Sequence, residues 1–287
     1  MIDTKNDFVS IISKLGPPAD LSEPLGPKGL WAIPPQFDKV GDYAEGLIAA
    51  ETDNRQGFID AHGSWAIPPG FGKVGPFSEG LAAATKNGRF GFIDHNGAWA
   101  IPPTFDYVGT FSEGLAVARN DYDYGFIDKN GAWAIPPQFD YADGFSEGLA
   151  SATKDRQEGF IDRDGAWAIA PGFIRVGAFS EGLTVAKKGD KRGFIDPDGA
   201  WAIPPRFDYA DGFSEGLAAA QKDGQWGFID KKGAWAIPAD FDWAHGFSKG
   251  LALVTKDEKD GFIDNKGNWV IKPRYKHLDL DTLEIPK

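Results

Sequence analysis

Residues 91–118 read GFIDHNGAWAIPPTFDYVGTFSEGLAVA, and residues 125–152 read GFIDKNGAWAIPPQFDYADGFSEGLASA. The two stretches are 34 residues apart, and the same interval separates Trp31, Trp65, Trp99, Trp133, Trp167, Trp201, Trp235 and Trp269. A Phe follows each of the first seven by six residues, from Phe37 to Phe241, and Tyr275 takes its place in the last. A period of this length marks a repeat architecture, in which a unit buries its apolar face only against its neighbours. Length alone would suggest cutting the 287 residues into two domains; the period predicts one array.

Each unit is expected to form three short antiparallel strands, at residues 81–85, 90–94 and 98–101 in one copy. The connection between the first two carries Asn or Asp beside Gly in several copies, which is hairpin chemistry. The next connection is always Asp-x-x-Gly, from Asp60–Gly63 to Asp264–Gly267. Asp at the head of such a turn accepts backbone N–H groups, and Gly at its end takes the left-handed conformation. The Pro-Pro that follows is expected to end the third strand, because Pro offers no ladder hydrogen bond. The aromatic-x-x-Gly element, as in Phe77 to Gly80, falls in the crossing to the next unit.

The WAIPP word and its variants occur eight times, but the other two strands only seven times each. The surplus strand stands at the N-terminal side and reads as an edge cover. The expected fold is therefore all-β, with tandem repeats forming an open twisted β array; a closed seven-bladed β-propeller is the alternative. Residues 1–22 are read as a helical cap, with Phe8, Ile11, Ile12 and Leu15 on one face. Residues 23–275 form the array of seven full units and one partial unit, and residues 276–287 a C-terminal tail.

Three words with constant spacing carry a family resemblance: aromatic-Gly-Phe-Ile-Asp, Gly-x-x-Ala-Ile-x-Pro and Phe-x-x-Gly-Leu-Ala. Over residues 25–275 they resemble the WG-repeat family of bacterial proteins. The Trp-Gly pair itself is literal only at Trp226-Gly227; the same position holds Phe90 and Tyr124 in two copies and polar residues elsewhere. The resemblance implies a non-enzymatic interaction module, from a family that includes proteins near secreted toxins.

The residue types exclude several chemistries. A net charge of −12 disfavours nucleic acid and anionic membrane surfaces. The absence of Cys removes disulfides and thiolate catalysis. The four histidines, His62, His95, His245 and His277, occupy unrelated repeat positions and form no zinc spacing. The Asp column from Asp60 to Asp264 is accounted for by its turns, so no metal or other cofactor is expected. The Glu column Glu45, Glu79, Glu113, Glu147, Glu181 and Glu215, with Lys249 in the seventh copy, reads as a bond to the next unit or as an acidic stripe. No unit breaks the pattern with a reactive cluster, so no enzyme is expected. The opening MIDTKNDFVSIISKLGPP lacks a secretory pattern, which gives the expectation of a cytoplasmic protein.

One column varies inside the constant frame. Two residues after the Phe of PPxF stand Lys39, Lys73, Tyr107, Tyr141, Arg175, Tyr209 and Trp243. Framework positions hold still for packing, and a column of only Tyr, Trp, Lys and Arg has the composition of binding hot spots. These residues are the candidate contact site, with Trp226, Tyr122 and Tyr124 as weaker additions. The expected ligand is a protein, of basic character if the net charge decides, for instance a toxin held by its inhibitor or immunity protein. A carbohydrate stacked on the aromatic members is the alternative.

Overall fold

The computed structural model describes residues 37–275. These residues belong to two compact units, Met1–Phe139 and Asp140–Lys287. The first holds three four-stranded antiparallel sheets and the second holds four, with strands in sequence order across each sheet. No sheet is closed into a barrel. The helical cap at 1–22, the tail at 276–287 and most of the partial unit lie outside the described residues.

The first sheet sets the pattern: β1 (Lys39–Ala44), β2 (Leu47–Thr52), β3 (Arg55–Ile59) and β4 (Trp65–Phe71). The last three correspond to the strands expected from the sequence. The crossing segment supplies the additional one, so each unit has four strands rather than three. This strand escapes a pattern search because it is short and irregular. It spans six residues at Lys39–Ala44 with a register shift between Val40 and Tyr43, and only two at Tyr141–Ala142. In the first three sheets it is joined to the next strand by a tight turn with Glu and Gly at its centre, both at positive φ (54° and 82° at Glu113 and Gly114). Turns with two such residues match the twist of a hairpin.

The Pro-Pro pair does not end its strand. Trp99–Phe105 runs through Pro102 and Pro103. It is an edge strand with register shifts in its pairing to the strand before it. A Pro is tolerated at such an edge because no ladder bond needs its missing N–H. The same segment explains the Gly of GFID. A Cβ at Gly91 would lie 2.4 Å from the Ile101 carbonyl oxygen, and at Gly193 2.4 Å from that of Ile203. Only Gly lets the two backbones approach this closely.

The Asp-x-x-Gly turns form as expected. In one, Asp94 Oδ1 accepts the N–H groups of Asn96 and Ala98, both at 2.9 Å, and Gly97 has φ 77°. The alternating Phe and Ile of GFID fill the core; Phe92, Ile93, Phe194, Ile195, Phe228 and Ile229 are all fully buried.

Successive sheets are joined by three recurring contacts. The Phe of GFID meets the aromatic residue that precedes the Gly turn of the next repeat, as in Phe92–Phe111 and Phe228–Phe247, both at 4.7 Å between ring centres. The Phe of PPxF meets the edge of the next Trp, as in Phe71–Trp99 and Phe207–Trp235, both at 5.7 Å. Finally, the Glu column reaches forward: Glu45 accepts the N–H of Gly80, Glu147 that of Gly182 and Glu215 that of Gly250, at 3.0, 2.8 and 2.8 Å. The Ser beside each of several Glu residues donates to the next sheet, as from Ser78 to the Phe111 carbonyl at 2.8 Å. The Glu column thus supplies clamps between successive sheets within each compact unit, one of its two sequence readings.

Candidate interaction site

Within each sheet, the residues of the variable column begin the first strand or immediately precede it, on the side of the hairpin that joins the second and third strands. Pairing extends each one into a row across its sheet. In the third sheet Tyr107 pairs with Arg119, Arg119 with Tyr124 and Tyr124 with Phe139. In the sixth the row is Tyr209, Gln221, Trp226 and Phe241. Residues directly opposite in a sheet share one face, so a row is a single strip of side chains.

In the first unit, Lys39, Lys73 and Tyr107 are exposed. Lys39 is paired with Glu51 at 3.0 Å, and Glu51 also accepts from Gln56 at 2.8 Å. These hydrogen bonds hold the Glu51 carboxyl below the usual carboxylate range. Tyr107 lies between Phe90 of the preceding sheet, at 6.3 Å, and Tyr124 of its own, at 5.8 Å. Arg119 lies over the Tyr124 ring at 5.4 Å.

In the second unit, Tyr141, Arg175, Tyr209 and Trp243 are exposed; the three aromatic members are open to solvent by 44%, 48% and 45% respectively. Their exposed rings are nevertheless held. The Tyr141 hydroxyl donates to Asp143 at 2.8 Å, and the Trp243 indole donates to His245 Nε2 at 3.1 Å. The Arg192 guanidinium covers the Tyr209 ring at 3.7 Å. Burial holds His245 below the ordinary histidine range, against the opposing pull of Asp211 and Asp260. The neutral imidazole can then accept the Trp243 bond.

The sequence named Tyr124 and Trp226, third members of their rows, only as weaker candidates and did not connect that column with the one headed by Lys39. In several sheets the side chain of the third member reaches the next sheet by whatever chemistry it carries. Gln56 Oε1 accepts the Val74 N–H at 2.7 Å, and Glu158 Oε2 accepts the Val176 N–H at 2.7 Å. Arg192 donates to the Ala210 carbonyl at 3.3 Å. Trp226 packs on Trp243 at 4.8 Å and on Tyr209 at 6.1 Å. Counting outward from the two hairpin turns would have aligned these positions, because tight turns set the register.

The family profile described as WG containing repeat matches at residues 27–55, 57–90, 90–122, 124–156, 159–191, 193–226, 226–259 and 261–279. The chain belongs to this family. In the WG repeats of this chain the name-giving Trp position is the third member of the row, the residue that in several copies docks one sheet on the next. Trp226 is the literal case, 2% exposed, with an indole N–H that has no hydrogen-bond partner. The Gly after it is the close-approach Gly of GFID.

No curated protein matches the chain in sequence. Similar solved structures include a eukaryotic initiation factor, at 11% identity and TM-score 0.54, with 79% of this chain and 73% of that one covered. Kluyveromyces lactis Hsv2p is similar at 9% identity and TM-score 0.50, with 81% and 95% covered. The dihydro-heme d1 dehydrogenase NirN, in complex with DHE, is similar at 13% identity and TM-score 0.51; 78% of this chain is covered and 63% of NirN. At these identities the likeness concerns the fold alone, and a fold of this kind does not dictate function. Among the described residues no group of three or more His, Cys, Asp or Glu could hold a metal ion. None of their helices is long and apolar enough to cross a membrane.

Proposed function

We propose that this WG-repeat protein is a non-enzymatic scaffold that binds another protein through the rows headed by Lys39, Lys73, Tyr107, Tyr141, Arg175, Tyr209 and Trp243. The observation that carries the reading is a contrast within each unit. Core, turns and clamps recur with little change, while the row changes chemistry from sheet to sheet. The exposed heads of the rows, rich in held aromatic and Arg side chains, suit recognition, because little side-chain entropy is lost on contact. A cytoplasmic location belongs to the same reading. A basic toxin held by this chain as its inhibitor is the version that the net charge of −12 suits.

The test is affinity capture from the native host's lysate with wild type and a Tyr107→Ala, Tyr141→Ala, Tyr209→Ala, Trp243→Ala variant, both shown to be folded. A protein retained by the first and lost by the second supports the reading; equal retention overturns it for the row. Exposed rings at Tyr141, Tyr209 and Trp243 also favour a second reading, carbohydrate stacked on the rows. A glycan array without signal removes that one.

A further inference from the structure

We infer that the fifth sheet seats an acidic segment of the partner protein, held by the cationic row Arg175, Lys187 and Arg192 beside Tyr209 and Trp243. The inference rests on the contact face proposed above and specifies its chemistry at one place. Arg175 pairs with Lys187, and Lys187 with Arg192, so three like charges stand in adjacent strands on one face. Like charges directly opposite each other destabilise a sheet. In the free protein Arg192 is held by Tyr209 and the Ala210 carbonyl, while among the described residues no ion pair offsets the repulsion at Arg175 and Lys187.

Among the described residues neither Arg175 nor Lys187 takes part in an ion pair. The first sheet shows the contrast, since its Lys39 faces Glu51 at 3.0 Å. Glu158, in the preceding sheet's row, is occupied by the Val176 N–H at 2.7 Å. Five other sheets carry an Asp immediately before the row, at Asp38, Asp106, Asp140, Asp208 and Asp242; the fifth sheet has the exposed Ile174. No carboxylate therefore stands opposite the cations within their own row or immediately before Arg175, and Glu158 of the preceding sheet approaches only at the Val176 N–H.

The cations lead directly to an aromatic surface. Arg192 lies 3.7 Å over Tyr209, and Trp226 of the Tyr209 row packs on Tyr209 and on Trp243 of the next sheet. Carboxylates accept well from Arg and Lys, and apolar or aromatic side chains pack on Tyr and Trp. A peptide segment can offer both. A long polyanion such as nucleic acid is a poorer occupant, because the chain's net charge of −12 repels it at a distance. A short acidic segment instead meets the local field, which dominates within a Debye length of about 8 Å.

The experiment uses the full chain and fluorescein-labelled short peptides of alternating Glu and Tyr, Lys and Tyr, or Gly and Ser, followed by fluorescence anisotropy. The Glu-Tyr peptide is expected to bind in preference to the other two, and more weakly as salt is raised. Arg175→Gln with Lys187→Gln should weaken it roughly tenfold. Lys187→Glu should abolish binding while melting at the same or a higher temperature, since it relieves repulsion in the free protein. No binding of the Glu-Tyr peptide, binding unchanged by these substitutions, or equal affinity for the Lys-Tyr peptide overturns the inference. Lys-Tyr binding that is lost with Tyr209→Ala and Trp243→Ala would overturn the acidic preference and leave the contact face standing. Capture unaffected by the row would remove the contact face itself.

Discussion

The fifth and sixth sheets share nearly everything except their rows. Both bury a Phe-Ile pair, Phe194-Ile195 and Phe228-Ile229. Both place that Phe against the next sheet, at 4.9 Å for Phe194–Phe213 and 4.7 Å for Phe228–Phe247. Both pair with the same register. Yet one row is Arg175, Lys187 and Arg192, and the other Tyr209, Gln221 and Trp226. The difference separates two kinds of position. Residues that join one sheet to the next inside the core are held by volume and shape. Residues of the row need only reach the neighbouring sheet, and hydrogen bonding, cation–π contact or ring packing each does so.

That division is sharpest at the core. Phe194→Ala and Phe228→Ala should each cost about 3–5 kcal/mol, and nearly the same amount in both sheets. Chemical denaturation with a fluorescence readout would measure it; a large inequality would mean that the sheets are not equivalent frames. Along the rows the expectation reverses. Trp226→Ala should cost about 3 kcal/mol, because a buried ring leaves a cavity, whereas Arg192→Ala should cost about 1 kcal/mol, the scale of one cation–π contact and one hydrogen bond. Equal losses would erase the distinction between the two sheets.

The clamps allow a smaller comparison. Glu181 accepts the Gly216 N–H at 3.1 Å and pairs with Lys231 at 3.2 Å. Its carboxyl is held low by these contacts, against the raising effect of burial. Glu181→Ala should cost about 1 kcal/mol in thermal or chemical unfolding, a partly exposed charged bond being worth little more.

Acid should act on framework and row differently. Asp60, Asp94 and Asp128 are held below the ordinary carboxylate range chiefly by backbone N–H groups of their own turns. Their stabilisation is present above their unfolded value, about pH 4, and is lost as pH falls through their lower folded values. His245 acts earlier. Its folded pKa is depressed by burial, so its contribution is full above about pH 6.5 and fades as pH falls towards the folded value. A small drop in melting temperature between neutral pH and about pH 5.5, absent from His245→Ala, is the expected result. A drop that persists in the variant would place the titration elsewhere.

The sequence by itself determined the repeat, its period, the hairpins and the Asp-x-x-Gly turns. It could do so because turn chemistry and hydrophobic words are local, and 34-residue spacing repeats them without interruption. It also separated the column headed by Lys39 from the framework. Only the tertiary structure decided that the crossing segment is a strand, since Tyr141–Ala142 gains its strand character from Ala152 and Thr153 rather than from any pattern of its own. Only the structure showed that Pro102 and Pro103 continue an edge strand, and that Gly91 is required by the Ile101 carbonyl. The rows were hidden for the same reason. Lys187 and Arg192 face each other across one hairpin, but Arg175 joins them only through the short first strand that no sequence pattern marks.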